Sequence, residues 1–261
     1  MTAIERFRTL HDTGLFVMPN AWDAGSAKLL EHLGFQALAT TSSGHAASLG
    51  RLDQRVRRDE LLIHVQRLTA AVGIPLSVDA EGCFPDDPGG VTRTVELIAE
   101  SGAAGFSIED YHASDGLLPV GLAVERVAQA VEASSRTGLV VTARAENHLY
   151  GVDDLDDTIT RLVAYRDAGA DVLYAPALVE AADILRVVQA VEAPVNVLAV
   201  PGIPTTAELE RAGVRRVSTG GALAWVAYGA LAAAGRELLE SGTTSYLDST
   251  LDPAERDAAF A

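Results

Sequence analysis

The chain has 261 residues, a formal net charge of −16, 48% hydrophobic residues and a single cysteine. Nucleic acid and anionic membrane surfaces would repel such a chain, and no run approaches the ~20 apolar residues of a membrane span, so the expected partner is a small molecule. One cysteine excludes an intramolecular disulfide framework and suits the cytoplasm; Met1 to Leu10 lacks the basic and apolar segments of an export signal.

In chain order, apolar strand-like runs alternate with helical patterns. Phe16 to Met18 is a short strand closed by Pro19-Asn20-Ala21-Trp22-Asp23, before a helix over about Ala24 to Leu33. Phe35 to Thr40 reads as the second strand, Thr41-Ser42-Ser43-Gly44 as a hydroxyl-rich turn, and Gly50-Arg51-Leu52-Asp53 as part of a longer connection to a helix over Arg58 to Ala71. Ile74 to Asp79 is the third strand, and Pro88-Gly89-Gly90 opens a helix to Glu100. Strand four, Gly105 to Ile108, ends in Glu109-Asp110; a polar loop to Pro119 and a helix near Ala123 to Ser134 follow. Strand five, Leu139 to Ala143, ends at Arg144 and Glu146. A helix over Leu155 to Ala168, strand six at Val172 to Tyr174, a helix over Ala182 to Val191 and strand seven at Val195 to Leu198 continue the pattern. Strand eight is Arg216 to Thr219, after which Gly220-Gly221 opens an Ala-rich helix to about Leu239, and a last helical segment covers about 252–261.

Eight strand-then-helix units on this length predict one (β/α)8 TIM-type barrel domain over 1–261 with an additional C-terminal helix, because continuously apolar strands joined by amphipathic helices require a covered parallel sheet. An open doubly wound sheet would show a glycine-rich fingerprint after its first strand, and Pro19-Asn20-Ala21-Trp22-Asp23 stands there instead.

In such a barrel the active site lies at the C-terminal ends of the strands. Those ends carry Thr40 to Ser43, Asp79 and Glu81, Glu109 and Asp110, and Arg144, Glu146 and His148; the later strands add Tyr174, Asn196 and Thr219. Asp79 and Glu81, one residue apart, leave the same side of an extended strand, and two carboxylates that close repel unless a cation, a proton or water offsets them. Magnesium is the natural candidate: a hard ion that keeps several waters and needs one or two protein carboxylates plus substrate oxygens. Arg144 from the neighbouring strand would pair the carboxylate of a metal-bound acid, the alternative being an internal ion pair with Glu109 or Glu146.

These residues carry a resemblance. Asp79-Ala80-Glu81-Gly82, Ile108-Glu109-Asp110, Ala143-Arg144-Ala145-Glu146 and the Pro19 to Asp23 segment resemble motifs of the isocitrate lyase and phosphoenolpyruvate mutase superfamily, with Asp53 where that family has an acid near its metal. The resemblance implies a magnesium-dependent barrel, manganese being able to substitute, that makes or breaks the bond beside the carbonyl of a 2-oxo acid. It implies Asp79 as direct metal ligand, with Asp53, Glu81 and Glu109 holding metal-bound waters. Arg144, with the amides of Thr41 and Ser42, would bind the substrate carboxylate. Arg144, Glu109 and Asp53 are the catalytic candidates, Glu81 and Glu109 join Asp79 as metal candidates, and Ser43 and Asn196 complete the substrate-binding set. A homo-oligomer, dimer or tetramer, is implied as well.

The departures narrow the reaction. The lyases' loop cysteine after strand four is missing from Tyr111 to Pro119, the mutases' Lys-Thr-Asn-Ser run is absent, and Tyr174-Ala175-Pro176 replaces a frequent histidine. Cys83 lies among acids that should raise its pKa, and Lys28, the one lysine, falls in the first helix, which disfavours an imine-forming aldolase. The expectation is a lyase or decarboxylase acting on an oxaloacetate-like or substituted malate-like acid, through an enolate that a divalent metal stabilises. Phosphoenolpyruvate mutase or phosphonopyruvate hydrolase chemistry, or an oxo-acid-binding homologue without turnover, are the alternatives.

Overall fold

The computed structural model describes residues 1–261. Helix α1 (Ala3–Thr9) precedes β1 (Phe16–Met18), β2 (Asn20–Ala21), α2 (Ala24–His32), β3 (Leu38–Thr40), α3 (Ser42–Ser48), α4 (Arg58–Ala71) and β4 (Leu76–Asp79). Then come α5 (Gly90–Glu100), β5 (Gly105–Glu109), a hairpin of β6 (Tyr111–His112) and β7 (Gly116–Leu117), α6 (Val120–Thr137), β8 (Val140–Arg144) and α7 (Leu155–Asp167). The last third holds β9 (Val172–Tyr174), α8 (Ala181–Val191), β10 (Val195–Leu198), α9 (Thr206–Arg211), β11 (Arg216–Ser218), α10 (Ala222–Glu240), a 3-10 turn at Ser245–Ser249 and α11 (Pro253–Phe260).

Nine strands form one parallel sheet in the order β1-β11-β10-β9-β8-β5-β4-β3-β2. Its two ends are halves of a single strand broken at Pro19, which has no amide hydrogen to give to a ladder. β1 pairs with β11 and β2 with β3, so the sheet nearly closes into the expected barrel. Asn20 supplies what the broken strand lacks. Its Nδ2 donates to the Thr40 carbonyl at 2.6 Å, and its Oδ1 accepts the amides of Thr219 and Gly220, each at 2.9 Å.

Strand alternation sorts the side chains. Val78, Phe106, Ile108, Val141, Ala143 and Leu173 point outward into a core shared with Val95, Ile98, Leu162, Ile184 and Val187 of the helices. At the lower end Phe7 of α1 plugs the barrel against Phe16, Ala37, Ala104, Val140 and Val172. Gly105 makes the plug possible: a Cβ there would stand 2.8 Å from the Phe7 ring and 2.7 Å from the Val140 carbonyl. Above the plug the interior turns polar. Ser77, Thr142, Asn196, Arg216 and Ser218 are buried there, where barrels usually stack branched aliphatic residues.

The expected boundaries shift in places. Thr41 to Gly44 is not a turn: Thr41 caps α3, its Oγ1 accepting the Gly44 amide at 3.3 Å, so the hydroxyl that suggested a turn starts a helix. The second barrel strand begins at Leu38 rather than Phe35, and α1, α9 and the β6–β7 hairpin are additions. No helix is long and apolar enough to cross a membrane.

Candidate active site

The upper, C-terminal end of the barrel opens into a cavity of about 240 Å³ lined by Thr40 to Ser43, Asp53, Asp79, Ser107, Arg144, Tyr174, Asn196 and Arg216, among others. Arg144, at the end of β8, is its hub. Nη1 reaches Asp79 Oδ1 at 2.8 Å and Glu109 Oε2 at 3.2 Å, and Nε donates to Glu146 Oε1 at 2.7 Å. Both readings of Arg144 therefore meet in one residue. It holds the internal ion pairs, yet Nη2 is left without an intramolecular partner on a side chain that lines the cavity, and the Tyr174 ring lies 5.4 Å from its guanidinium carbon.

One guanidinium serves too many acids. Glu109 is buried, and its carboxyl is pushed well above the usual range, first by that burial and then by Glu146, Asp79 and Glu81 against the pull of Arg144. Glu146, also buried, shifts up for the same first cause. Glu81 rises to about 8 through burial and the charges of Asp79 and Asp53. Asp53 sits at the mouth with one side in solvent and the other against Asp79, and its carboxyl rises too, through this partial burial and the Asp79 charge. Gln54 ties the same loop to the site, donating to Glu109 Oε1 at 2.7 Å.

Residues 7–239 match the family model described as phosphoenolpyruvate phosphomutase. The chain belongs to this family. It is therefore a member of the isocitrate lyase and phosphoenolpyruvate mutase superfamily. The 2-methylisocitrate lyase of Escherichia coli K12 is 32% identical over 206 residues, covering 74% of this chain and 69% of that protein. A crystal structure from Burkholderia cenocepacia J2315, described no more closely than a lyase or mutase, superposes with a TM-score of 0.95 at 47% identity, covering 99% of this chain and 96% of that one. Oxaloacetate acetylhydrolase in complex with oxalate superposes with a TM-score of 0.87 at 25% identity, over 99% and 94% of the two chains.

Within that family frame the structure amends several sequence-based assignments. Asp79 and Glu81 do approach, but not along a strand: β4 ends at Asp79, and Glu81 turns back in a left-handed conformation with φ 50°. Both then line a small pocket with Ser42 and His45. The Ser42 amide, expected to receive substrate, donates to Asp79 Oδ2 at 2.9 Å. Thr41 and Ser43 line the cavity, and their hydroxyls lie 3.3 Å apart. Asn196 has both amide ends engaged, donating to Ser218 Oγ at 2.8 Å and accepting from Arg216 Nε at 2.9 Å, which makes it a support for Arg216. Asp110 points outward, where alternation must send the neighbour of Glu109, and is held by Arg161, the Tyr165 hydroxyl and the Glu146 amide. Cys83 is fully buried and burial pushes its thiol up, as a packing residue requires. Lys28 reaches the Phe260 carbonyl at 3.3 Å, outside the cavity.

No three acidic, histidine or cysteine side chains form a ready-made metal cage. The donor set nevertheless fits a hydrated hard cation: Asp53, Asp79, Glu81 and Glu109 are all oxygen donors, their carboxyls are under-compensated by one arginine, and magnesium binds through few protein oxygens. Zinc or copper would call for the nitrogen or sulfur ligands that this set lacks.

Sequence reasoning passed over the inward hydroxyls of Ser77, Ser107 and Thr142, and Arg216. Each occupies an inward position on a strand whose outward residues are apolar, so a period-two reading of the strands would have found them.

Proposed function

We propose that the protein is a magnesium-dependent lyase that cleaves a C–C bond beside the carbonyl of a small 2-oxo acid or its adduct, in the oxaloacetate or substituted malate class. The observation that carries this reading is a cavity wall that brings Asp53 and Asp79 to Arg144, with Glu109 on the same guanidinium at 3.2 Å and Glu81 beside Asp79 in the adjoining small pocket. Family relatives named 2-methylisocitrate lyase, 2,3-dimethylmalate lyase and oxaloacetate acetylhydrolase support the same class. Asp79 would hold the ion directly, with Asp53, Glu81 and Glu109 binding its waters. When bound, the ion would stabilise the negative charge that builds on the substrate's carbonyl oxygen.

Arg144 orients the substrate. With Nε fixed on Glu146 and Nη1 on Asp79 and Glu109, its Nη2 donates to the substrate carboxylate from the cavity wall. Tyr174 lines the same wall, and burial pushes its hydroxyl up to about 12, so it keeps its proton at neutral pH and is the group we assign to return a proton to the product carbon. No cysteine or lysine competes for that role in the cavity. Assays of oxaloacetate, 2,3-dimethylmalate and phosphonopyruvate with and without magnesium test the reading. Metal-dependent cleavage of one of the first two supports it. Turnover of phosphonopyruvate alone transfers the site to P–C chemistry, and oxo-acid binding without turnover favours a non-catalytic homologue, a reading that the three carboxylates already on Arg144 support.

The reading includes a homo-oligomer. Of the residues in α10 only Ala224 is buried, while Trp225, Val226, Leu231 and Leu239 are exposed around the helix, apolar surface that a second copy of the chain would cover. Light scattering that finds a monomer at working concentration would remove this part.

A further inference from the structure

Arg216 projects from β11 into the barrel and is 2% exposed, yet no carboxylate touches it. Its three partners are Asn196 Oδ1 at 2.9 Å, Thr142 Oγ1 at 2.9 Å and His11 Nε2 at 3.2 Å. His11 Nδ1 lies 2.9 Å from the Phe7 carbonyl, which can only accept, so Nδ1 carries the hydrogen and Nε2 presents its lone pair to Arg216. All three partners are thus neutral. A chain with 36 acidic residues has no shortage of counter-ions, and it pairs the part-buried Arg144 and the buried Arg161 with carboxylates while leaving this guanidinium without one.

The charge faces the cavity already described. Arg216 lines it together with Ser77, Thr142, Asn196 and Ser218, a wall without a carboxylate. Three of the five guanidinium N–H groups are engaged, so one on each Nη is left over. Arg216 Nη2 bonds to Thr142, two residues before Arg144 on the same inward face of β8. The Thr142 contact thus ties the Arg216 guanidinium to the inward position of β8 next below Arg144, a step of about 6.6 Å along that strand, and both arginines line the one cavity.

We propose that Arg216 makes the cavity floor a second anion subsite, which takes the distal carboxylate of a short dicarboxylic acid whose other end is held near Arg144. The identity of that acid as a 2-oxo acid rests on the lyase reading; the subsite itself does not. Asn196 and Thr142 are its positioning residues, fixing the guanidinium so that its free N–H groups stay turned to the cavity.

Succinate and butyrate match in chain length and differ by one carboxylate, which makes them the probes. By calorimetry, with and without magnesium, the wild-type protein should bind succinate at least ~10-fold more tightly than butyrate, on the scale of one charge-assisted hydrogen-bonded contact. Arg216→Met should collapse that ratio to about one and leave butyrate affinity nearly unchanged. A ratio that survives the substitution, or a wild-type protein that does not discriminate, overturns the subsite. Should Arg216→Met fail to fold, bromide-soaked wild-type crystals decide: an anomalous peak within hydrogen-bond reach of the Arg216 Nη atoms supports the proposal, and its absence at saturating bromide removes it. The lyase reading fails separately. A ratio that collapses on Arg216→Met, without metal-dependent turnover of any oxo acid by the wild type, would keep the subsite and discard the lyase, and wild-type turnover with a ratio unaltered by the substitution would do the reverse.

Discussion

Arg144, part-buried, and Arg216, buried, stand in one barrel interior, and they are treated in opposite ways. Arg144 touches three carboxylates within 3.2 Å, and burial, with the neighbouring negative charge behind it, pushes Glu109 and Glu146 up. Arg216 touches neutral groups alone. The cavity is thus polarised along the barrel axis, acidic at the rim and cationic at the floor, whatever the net charge of −16 on the whole chain. Burial by itself says little about what an arginine does; the count of carboxylates around it separates the two.

Truncation should expose the difference most strongly. Arg144→Met leaves Asp79, Glu109 and Glu146 facing one another without a cation, and should cost about 3 to 5 kcal/mol in denaturant unfolding. Arg216→Met removes a desolvated charge with no ionic partner and should change stability by no more than about 1 kcal/mol, in either direction. Equal losses would erase the contrast. Asp79→Ala should weaken magnesium binding roughly a hundredfold by calorimetry, about 2.7 kcal/mol. Its effect on folding is smaller because Arg144 keeps Glu109 and Glu146, and the stability gain expected from relieving repulsion alone is offset by the lost contacts to Ser42 and Arg144. Arg144→Lys keeps a positive charge but cannot place one donor on Glu146 and another on Asp79, so substrate binding should fall by about 2 kcal/mol while magnesium affinity stays level. A weakened metal site in that variant would make Arg144 a structural partner alone.

The contrast also marks what was legible in the sequence. Asp79, Glu109 and Arg144 stand at strand ends, where apolar runs stop, and the barrel rule says such residues face the site. The same alternation that hides Arg216 inside a strand also sends Asp110 away from the cavity, and a reading by strand ends alone conflates Asp110 with Glu109. The strands from Val172, Val195 and Arg216 are bounded within a residue because Ala170-Asp171, Ala193-Pro194 and Gly213 before them and Pro176, Pro201 and Gly220 after them punctuate short valine-bearing segments. Helix α3 was illegible: Ser42-Ser43-Gly44 has weak helix propensity, and Gly44 is placed by packing, since a Cβ there would stand 2.6 Å from Thr41 Cγ2 and 3.1 Å from the Ala224 side chain. Pairing between residues far apart in sequence, such as Asn20 with Thr219, leaves no local pattern to read.

Titration offers the gentlest test of the comparison, because a buried imidazole can do what Arg216 cannot, which is shed its charge. His45 and His64 stack face to face with ring centroids 3.7 Å apart, and neither His45 nitrogen nor His64 Nε2 has a hydrogen-bond partner. Burial lowers both, His64 to about 3, with the neighbouring His45 and Arg67 acting in the same direction. In the unfolded chain each histidine titrates near 6.5, so between about pH 3 and 6.5 the unfolded state binds more protons than the folded state. Stability from this pair is fully present above 6.5 and is lost as the pH falls through that window. His64→Phe keeps the stacked ring and removes the proton site, so its unfolding free energy should change less between pH 6.5 and 5 than that of the wild type, by about 1 kcal/mol. Parallel pH profiles for the two proteins would mean that His64 takes up its proton in the folded state at the same pH as in the unfolded chain, and that the barrel tolerates a second uncompensated buried cation.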